Sequence, residues 1–119
     1  MRHILTSVVL VVFLLPACAP GQVVTMDDLV VRDGLYYEKL TNVPFTGVVT
    51  GQYQGRIKDG RKDGPWVFYY ENGGVSSEGI YKDGKRDGPW VSYYENGQLR
   101  SEITYKDGGI LYAPKRFYR

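Results

Sequence analysis

The chain has 119 residues, with 15 Lys+Arg against 13 Asp+Glu and a formal net charge of +2. That length holds one small domain, and that balance excludes both a strongly basic nucleic-acid binder and an acidic disordered tail. Fifteen Gly and 11 Tyr point to short strands joined by tight turns, because Tyr suits a pleated surface and Gly supplies positive φ.

The first seventeen residues read as an address. Met1-Arg2-His3 carries a positive charge, Ile4-Leu5 follows, and Val8 to Leu15 runs without a polar side chain. As a helix, Ile4 to Leu15 would span only about 18 Å, short of the ~30 Å bilayer core. It fits the apolar region of a secretory signal rather than a membrane anchor or a buried helix. Leu15-Pro16-Ala17-Cys18 then resembles the lipobox of bacterial lipoproteins. Cys18 is the single cysteine and has no internal disulfide partner. The resemblance implies that Cys18 becomes the acylated first residue of the mature chain, where two acyl chains already make a stable anchor. Ala19, not Asp, resembles the sorting pattern of outer-membrane lipoproteins. The alternative is an ordinary signal peptide cut near Ala19, leaving a free thiol. Residues 1–17 are therefore expected as leader and residues 18–28 as lipidated Cys and tether.

The rest of the chain repeats. Residues 61–84 and 85–108 agree at sixteen of 24 positions. Gly64-Pro65-Trp66-Val67 recurs as Gly88-Pro89-Trp90-Val91. Tyr69-Tyr70-Glu71-Asn72-Gly73 recurs as Tyr93-Tyr94-Glu95-Asn96-Gly97. Tyr81-Lys82-Asp83-Gly84 recurs as Tyr105-Lys106-Asp107-Gly108. Each unit reads as a hairpin about Asn-Gly, the strongest short-range signal for a two-residue type I′ turn. That fold pairs Tyr94 with Leu99, Ser92 with Ser101 and Trp90 with Ile103. Alternation then makes one face apolar, with Trp90, Tyr94, Leu99, Ile103 and Tyr105. The other face carries Val91, Tyr93, Arg100, Glu102 and Thr104. In the first unit the apolar face is Trp66, Phe68, Tyr70, Val75 and Tyr81. Lys-Asp-Gly turns the chain between units, and Asp87-Gly88-Pro89 starts the second unit's strand.

Earlier sequence reads as worn copies. Lys58-Asp59-Gly60 ends a shortened unit that Phe45-Thr46-Gly47 begins. Leu29 to Glu38 reads as a hairpin about Asp33-Gly34. The repeat domain is expected over 29–112, with degenerate units in 29–60, a closing strand at 110–112 and a basic tail at 113–119.

Gly-Pro-Trp-x-x-Tyr-Tyr-Glu-Asn-Gly followed by Tyr-Lys-Asp-Gly resembles the bacterial variant of the MORN repeat (membrane occupation and recognition nexus). Arg32 to Gly47 also resembles the usual lead-in of such proteins. The resemblance implies an all-β, single-layer twisted stack of antiparallel hairpins. It assigns Gly64, Trp66, Asn72, Gly73, Asp83, Gly84, Gly88, Trp90, Asn96, Gly97, Asp107 and Gly108 to structure. Some members are described as antitoxins of toxin–antitoxin systems.

Little in the sequence points to chemistry. His3 is the only histidine and lies in the leader, which removes the commonest general base and metal ligand from the mature chain. Asp59 and Asp63, or Asp83 and Asp87, lack the further oxygen ligands of a calcium loop. A catalytic residue is needed once, whereas these residues recur. No enzyme, cofactor, metal or nucleic acid is expected.

Binding is more open. Trp66 and Trp90 serve either as core or as a cradle for a ligand, and the repeat favours core. Val67, Tyr69, Val91, Tyr93 and Arg100 form a candidate contact face, because Tyr there offers rigid apolar area with a polar tip. Lys82, Lys85 and Arg86, with Arg61 and Lys62, cluster at one set of turns. They could meet anionic headgroups, but the interleaved Asp59, Asp63, Asp83 and Asp87 oppose that field. An unpaired sheet edge is a further docking place. The expected function is a lipid-anchored interaction module in the bacterial envelope, held at the outer membrane, with a protein partner and the membrane as contacts. Neutralising a toxin and binding cell-wall glycan are the alternatives.

Overall fold

The computed structural model describes residues 22–116, with side-chain surroundings described through residue 111. The leader, Cys18 and residues 117–119 lie outside the described residues. Ten strands and one 3-10 turn follow in order: β1 (Gln22–Thr25), the 3-10 turn (Met26–Asp28), β2 (Leu29–Arg32), β3 (Leu35–Glu38), β4 (Gly47–Thr50) and β5 (Tyr53–Lys58). Then come β6 (Arg61–Tyr69), β7 (Val75–Lys82), β8 (Lys85–Tyr93), β9 (Leu99–Lys106) and β10 (Gly109–Arg116). Eight strands form one sheet in the order β1-β4-β5-β6-β7-β8-β9-β10, and β2 pairs with β3 apart from it. All pairs are antiparallel except β1 with β4. This is the all-β hairpin stack that the repeats imply.

Two kinds of turn hold the stack, and their roles are exchanged relative to the expectation. The Asp-Gly turns are the two-residue type I′ turns. Both central residues take positive φ, as at Asp83 (51°) and Gly84 (82°), and the same pair recurs at 33–34, 59–60 and 107–108. The Asn-Gly turns are longer. Gly73 has φ 90° but Asn72 stays out of the left-handed region. The Tyr70 N–H donates to the Gly74 carbonyl at 2.7 Å, and the Gly73 N–H donates to the Tyr70 carbonyl at 3.0 Å. This is a type I turn closed by a glycine bulge, a three-residue loop. Asn72 Oδ1 accepts from the Gly74 N–H at 2.9 Å, and Asn96 Oδ1 from the Gln98 N–H at 3.0 Å. Such side-chain bonds hold Asn in the right-handed region.

The extra loop residue shifts the register beside the turn. Ser92 faces Ser101 and Trp90 faces Ile103, as expected, but Tyr93 rather than Tyr94 faces Leu99. Arg100 is the bulged residue between them. Gly64-Pro65 and Gly88-Pro89 do not start strands either. They lie inside β6 and β8, and Gly64 at φ 85° bends β6 where Gly55 faces Trp66 and Arg56 faces Asp63. A bulge is where a sheet tolerates Pro.

The ends also differ from expectation. Residues 22–28, expected within the tether, fold onto the first edge: β1 runs parallel to β4 from Gln22–Gly47 to Thr25–Thr50. The Thr25 N–H donates to Asp28 Oδ2 at 3.0 Å and fixes the 3-10 turn. At the far edge β10 runs to Arg116, so the closing strand takes in part of the expected tail.

The core is one cluster: Val24, Leu29, Phe45, Val49, Ile57, Trp66 and Trp90. A row of paired residues crosses the sheet through it, Val24–Val49–Gly55–Trp66–Gly79. The β2–β3 hairpin covers this face at the amino-terminal end, contributing Leu29 and the partly buried Tyr36. It is tied down by the Tyr36 N–H donating to the Gly60 carbonyl at 2.9 Å and by Phe45 and Gly60 N–H groups donating to Tyr36 and Phe45 carbonyls. Its Asp33-Gly34 turn begins the row of Asp-Gly turns, in which Gly84 and Gly108 N–H groups donate to the Lys62 and Arg86 carbonyls at 2.9 and 3.0 Å.

Candidate interaction surface

The two faces of the sheet have separate tasks. On the covered face, Trp66 is fully buried and Trp90 is 4% exposed. Each indole lies across a glycine of the preceding hairpin. A Cβ at Gly55 would fall 2.3 Å from Trp66 Cδ2, and one at Gly79 the same distance from Trp90 Cδ2. Trp66 Nε1 donates to the Arg56 carbonyl at 2.9 Å, and Trp90 Nε1 to the Ile80 carbonyl at 3.0 Å. Phe68 stacks between the indoles, 6.1 Å from each ring. Tyr81 meets both edge-on, at 6.2 and 5.1 Å. Burying one such ring and bonding its N–H contributes about 4 kcal/mol or more. The tryptophans are core, as the repeat favoured.

Two cations close this aromatic row. Lys62 Nζ stands 5.1 Å from the Trp66 ring centre, 5.4 Å from Phe68, 5.0 Å from Tyr81 and 5.8 Å from Tyr36. The Arg86 guanidinium is 4.5 Å above Trp90 and 5.4 Å from Tyr105, and its Nη1 donates to the Tyr105 hydroxyl at 3.1 Å. Burial alone would lower the Arg86 pKa, but the hydroxyls of Tyr81 and Tyr105 outweigh it and raise the value. The cation is thus stabilised against rings whose faces attract it. Arg86 was expected beside Lys82 and Lys85 in a turn cluster. Instead it is folded over Trp90, while Lys82 and Lys85 face each other across the Asp83-Gly84 turn, exposed.

Alternation along the strands sorts charges that are interleaved in the sequence. Lys62 points to the aromatic face, and the next residue, Asp63, points to the other. Asp63 lines a cleft with Lys58, Asp59, Arg61 and Asp83. The offsetting of charge expected from the sequence therefore applies to the row as a whole, not to each face.

The opposite face carries the candidate contact residues. Val67, Glu78, Val91 and Glu102 are cross-strand neighbours in one row, all half-buried. Tyr93 Oη donates to Glu78 Oε2 at 2.9 Å. That bond first, then burial and the nearby charges of Glu78 and Glu102, raise the Tyr93 pKa above its ordinary value. Tyr69 occupies the same place one unit earlier, where position 54 is Gln rather than Glu. Gln54 Nε2 donates to the Gly51 carbonyl instead, at 3.0 Å. Tyr69, Tyr70, Gln52, Gln54 and Glu71 line a shallow cavity of about 420 Å³ at the Asn-Gly edge. Ile80 is 47% exposed on this side, and Arg100 is exposed at its bulge. The sheet thus brings Val67, Tyr69, Val91 and Tyr93 onto one side and sets Arg86 on the other.

Comparison with known families fits this geometry. Residues 62–83 and 86–107 match the family model described as a MORN repeat variant. A MORN repeat variant is thus found in two adjacent units. No curated protein and no solved structure matches the chain. The matched segments coincide with the two units that carry Trp66 and Trp90. MORN repeats suggest a protein or membrane interaction module, which suits a sheet whose one face is core and whose other face carries no second layer among the described residues.

The sequence did not reveal the glycine seats or the ring contacts of Lys62. One signal was present for the first: Gly55 and Gly79 stand 24 residues apart, as Trp66 and Trp90 do. For Lys62 the signal was fainter, a cation two residues after each Asp-Gly in both units.

Proposed function

We propose that the protein is a membrane-anchored bacterial lipoprotein whose MORN repeats serve as a non-catalytic interaction module in the cell envelope. Acyl chains on Cys18 would hold the module at the membrane, and the face bearing Val67, Tyr69, Val91 and Tyr93 would meet a protein partner. The observation that carries this reading is the division of faces. One side is committed to the tryptophan core, and the other repeats half-buried Val and Tyr at 24-residue spacing. Repetition of a surface suits binding by area rather than chemistry at a point. The lipobox-like Leu15-Pro16-Ala17-Cys18 supports the anchor and the envelope compartment.

The contact face is tested by placing a photo-crosslinking phenylalanine derivative at Tyr69, at Tyr93, or at Ser92 on the aromatic side. Irradiation of cells should give the same discrete adduct from positions 69 and 93 and none from 92. Adducts from all three positions alike, or from none, contradict this face.

A further inference from the structure

A groove of about 360 Å³ runs along the Asp-Gly turns on the aromatic side, at the low end of the ~300–1,000 Å³ range of ligand pockets. It joins three successive turns, those at Gly34, Gly60 and Gly84. Three cations line it: Arg61, Lys62 and Lys85. Tyr36 and Tyr81 form its aromatic wall, and Asp83 is its acidic member. Val31 lines it too, 56% exposed. The hydrocarbon stem of Arg61 lies against Gly84, where a Cβ would be 3.6 Å from its Cβ, Cγ and Cδ, and Lys85 lies likewise against Gly108. Their stems are therefore held in place while their charged ends remain exposed. Among the described residues none of these three cations has a carboxylate within ion-pair distance; the contacts of Lys62 are with rings.

We propose that this groove binds an acidic peptide segment, with a ligand carboxylate between Arg61 and Lys85 and an apolar side chain beside Val31 and Tyr36. Charge complementarity selects an anion: three cations line the groove against the one carboxylate of Asp83, and such an excess attracts an anion and discriminates against cationic partners. Arg offers a carboxylate two parallel donors. Asp83 selects among anions. Its charge opposes a dianionic phosphate, yet it accepts a hydrogen bond from a peptide N–H. A peptide supplies carboxylate, N–H and apolar side chain together, which a phosphate group alone does not. This site is on the side away from Tyr69 and Tyr93 and does not depend on the acyl anchor.

The test is titration of the full chain in detergent, wild type and Cys18→Ala, followed by tryptophan emission. Lys62 lies over Trp66, so displacement of its ammonium changes that signal. The probes are acetylated Leu-Glu-Leu-Glu, its Leu-Gln-Leu-Gln counterpart, inorganic phosphate, and vesicles of anionic phospholipid. The acidic peptide should bind in both chains, weaken with added salt, and bind at least tenfold more tightly than the glutamine peptide. Arg61→Gln/Lys85→Gln should weaken it at least tenfold while its melting curve stays cooperative. If that double variant does not fold, Arg61→Lys and Lys85→Gln are measured singly, and each should weaken binding. Equal binding of the two peptides, binding unchanged by the variants, no peptide binding, or a response to phosphate or vesicles alone would overturn the proposal. Loss of membrane association in Cys18→Ala bears on the anchor and leaves this result standing.

Discussion

Trp90 lies across Gly79, and no other residue fits beneath it: a Cβ there would be 2.3, 2.4 and 2.6 Å from Cδ2, Cε2 and Cγ of the indole. Gly79→Ala must push the ring off its strand or part the strands. Overpacking of this kind costs about 1–3 kcal/mol, and loss of the Nε1 bond to the Ile80 carbonyl adds about 1 kcal/mol. Gly79→Ala is therefore expected to lower stability by about 2–4 kcal/mol in urea unfolding. Gly74→Ala, whose Cβ would meet only Asn72 Oδ1 at 3.3 Å, should change it far less. Similar losses in the two variants would show that the glycine seat does not govern the stack.

Asn72 and Asn96 occupy equivalent turns but not equivalent surroundings. Both accept from the N–H two residues on. Asn72 Nδ2 also donates to the Glu95 carbonyl of the next turn at 3.2 Å, and Tyr70 Oη donates to the Tyr93 carbonyl at 2.6 Å beside it. Asn72→Ala should therefore cost more than Asn96→Ala, by about 0.5–1 kcal/mol for one net hydrogen bond. Thermal unfolding of both variants checks the order; equal losses would mean that the turns do not support one another.

The period of the sequence carried most of the architecture. Sixteen matches in 24 fixed the unit length, and Trp66 and Trp90 marked its core side. What the period did not carry was turn geometry. Asn-Gly and Asp-Gly share a preference for positive φ, and the choice between a two- and a three-residue loop depends on the side-chain bond from Asn72 Oδ1 to Gly74. In the equivalent turn at Asn96, whose Oδ1 accepts from the Gln98 N–H, the extra residue moved Leu99 from Tyr94 to Tyr93. The placement of Val91 and Tyr93 on the side away from Trp90 was legible because alternation alone dictates it. Arg86 was not, because its guanidinium reaches back over Trp90, a tertiary contact that composition does not express. β1 was missed because Gln22 to Thr25 pairs in parallel with a strand more than twenty residues on.

Tyr93 gives the face a pH response. Its hydrogen bond to Glu78, then burial and the neighbouring carboxylates, hold the folded phenol above its ordinary value. The unfolded phenol releases its proton near pH ~10. The contribution is thus fully present below that pH and is lost as pH rises through the folded value. It is small, because the side chain is partly in water. Melting temperatures between about pH 9 and 11 should fall more steeply for the wild type than for Tyr93→Phe or Glu78→Gln. Parallel slopes would contradict a stabilising bond at this site.

The claim that these repeats work from a lipid anchor is tested most directly by intact mass with membrane fractionation, on wild type and Cys18→Ala. The wild-type chain is expected to begin at Cys18, carry acyl mass and sediment with membranes, and the variant to lack both the added mass and the association. A wild-type chain that is unmodified and stays in the soluble fraction would contradict it.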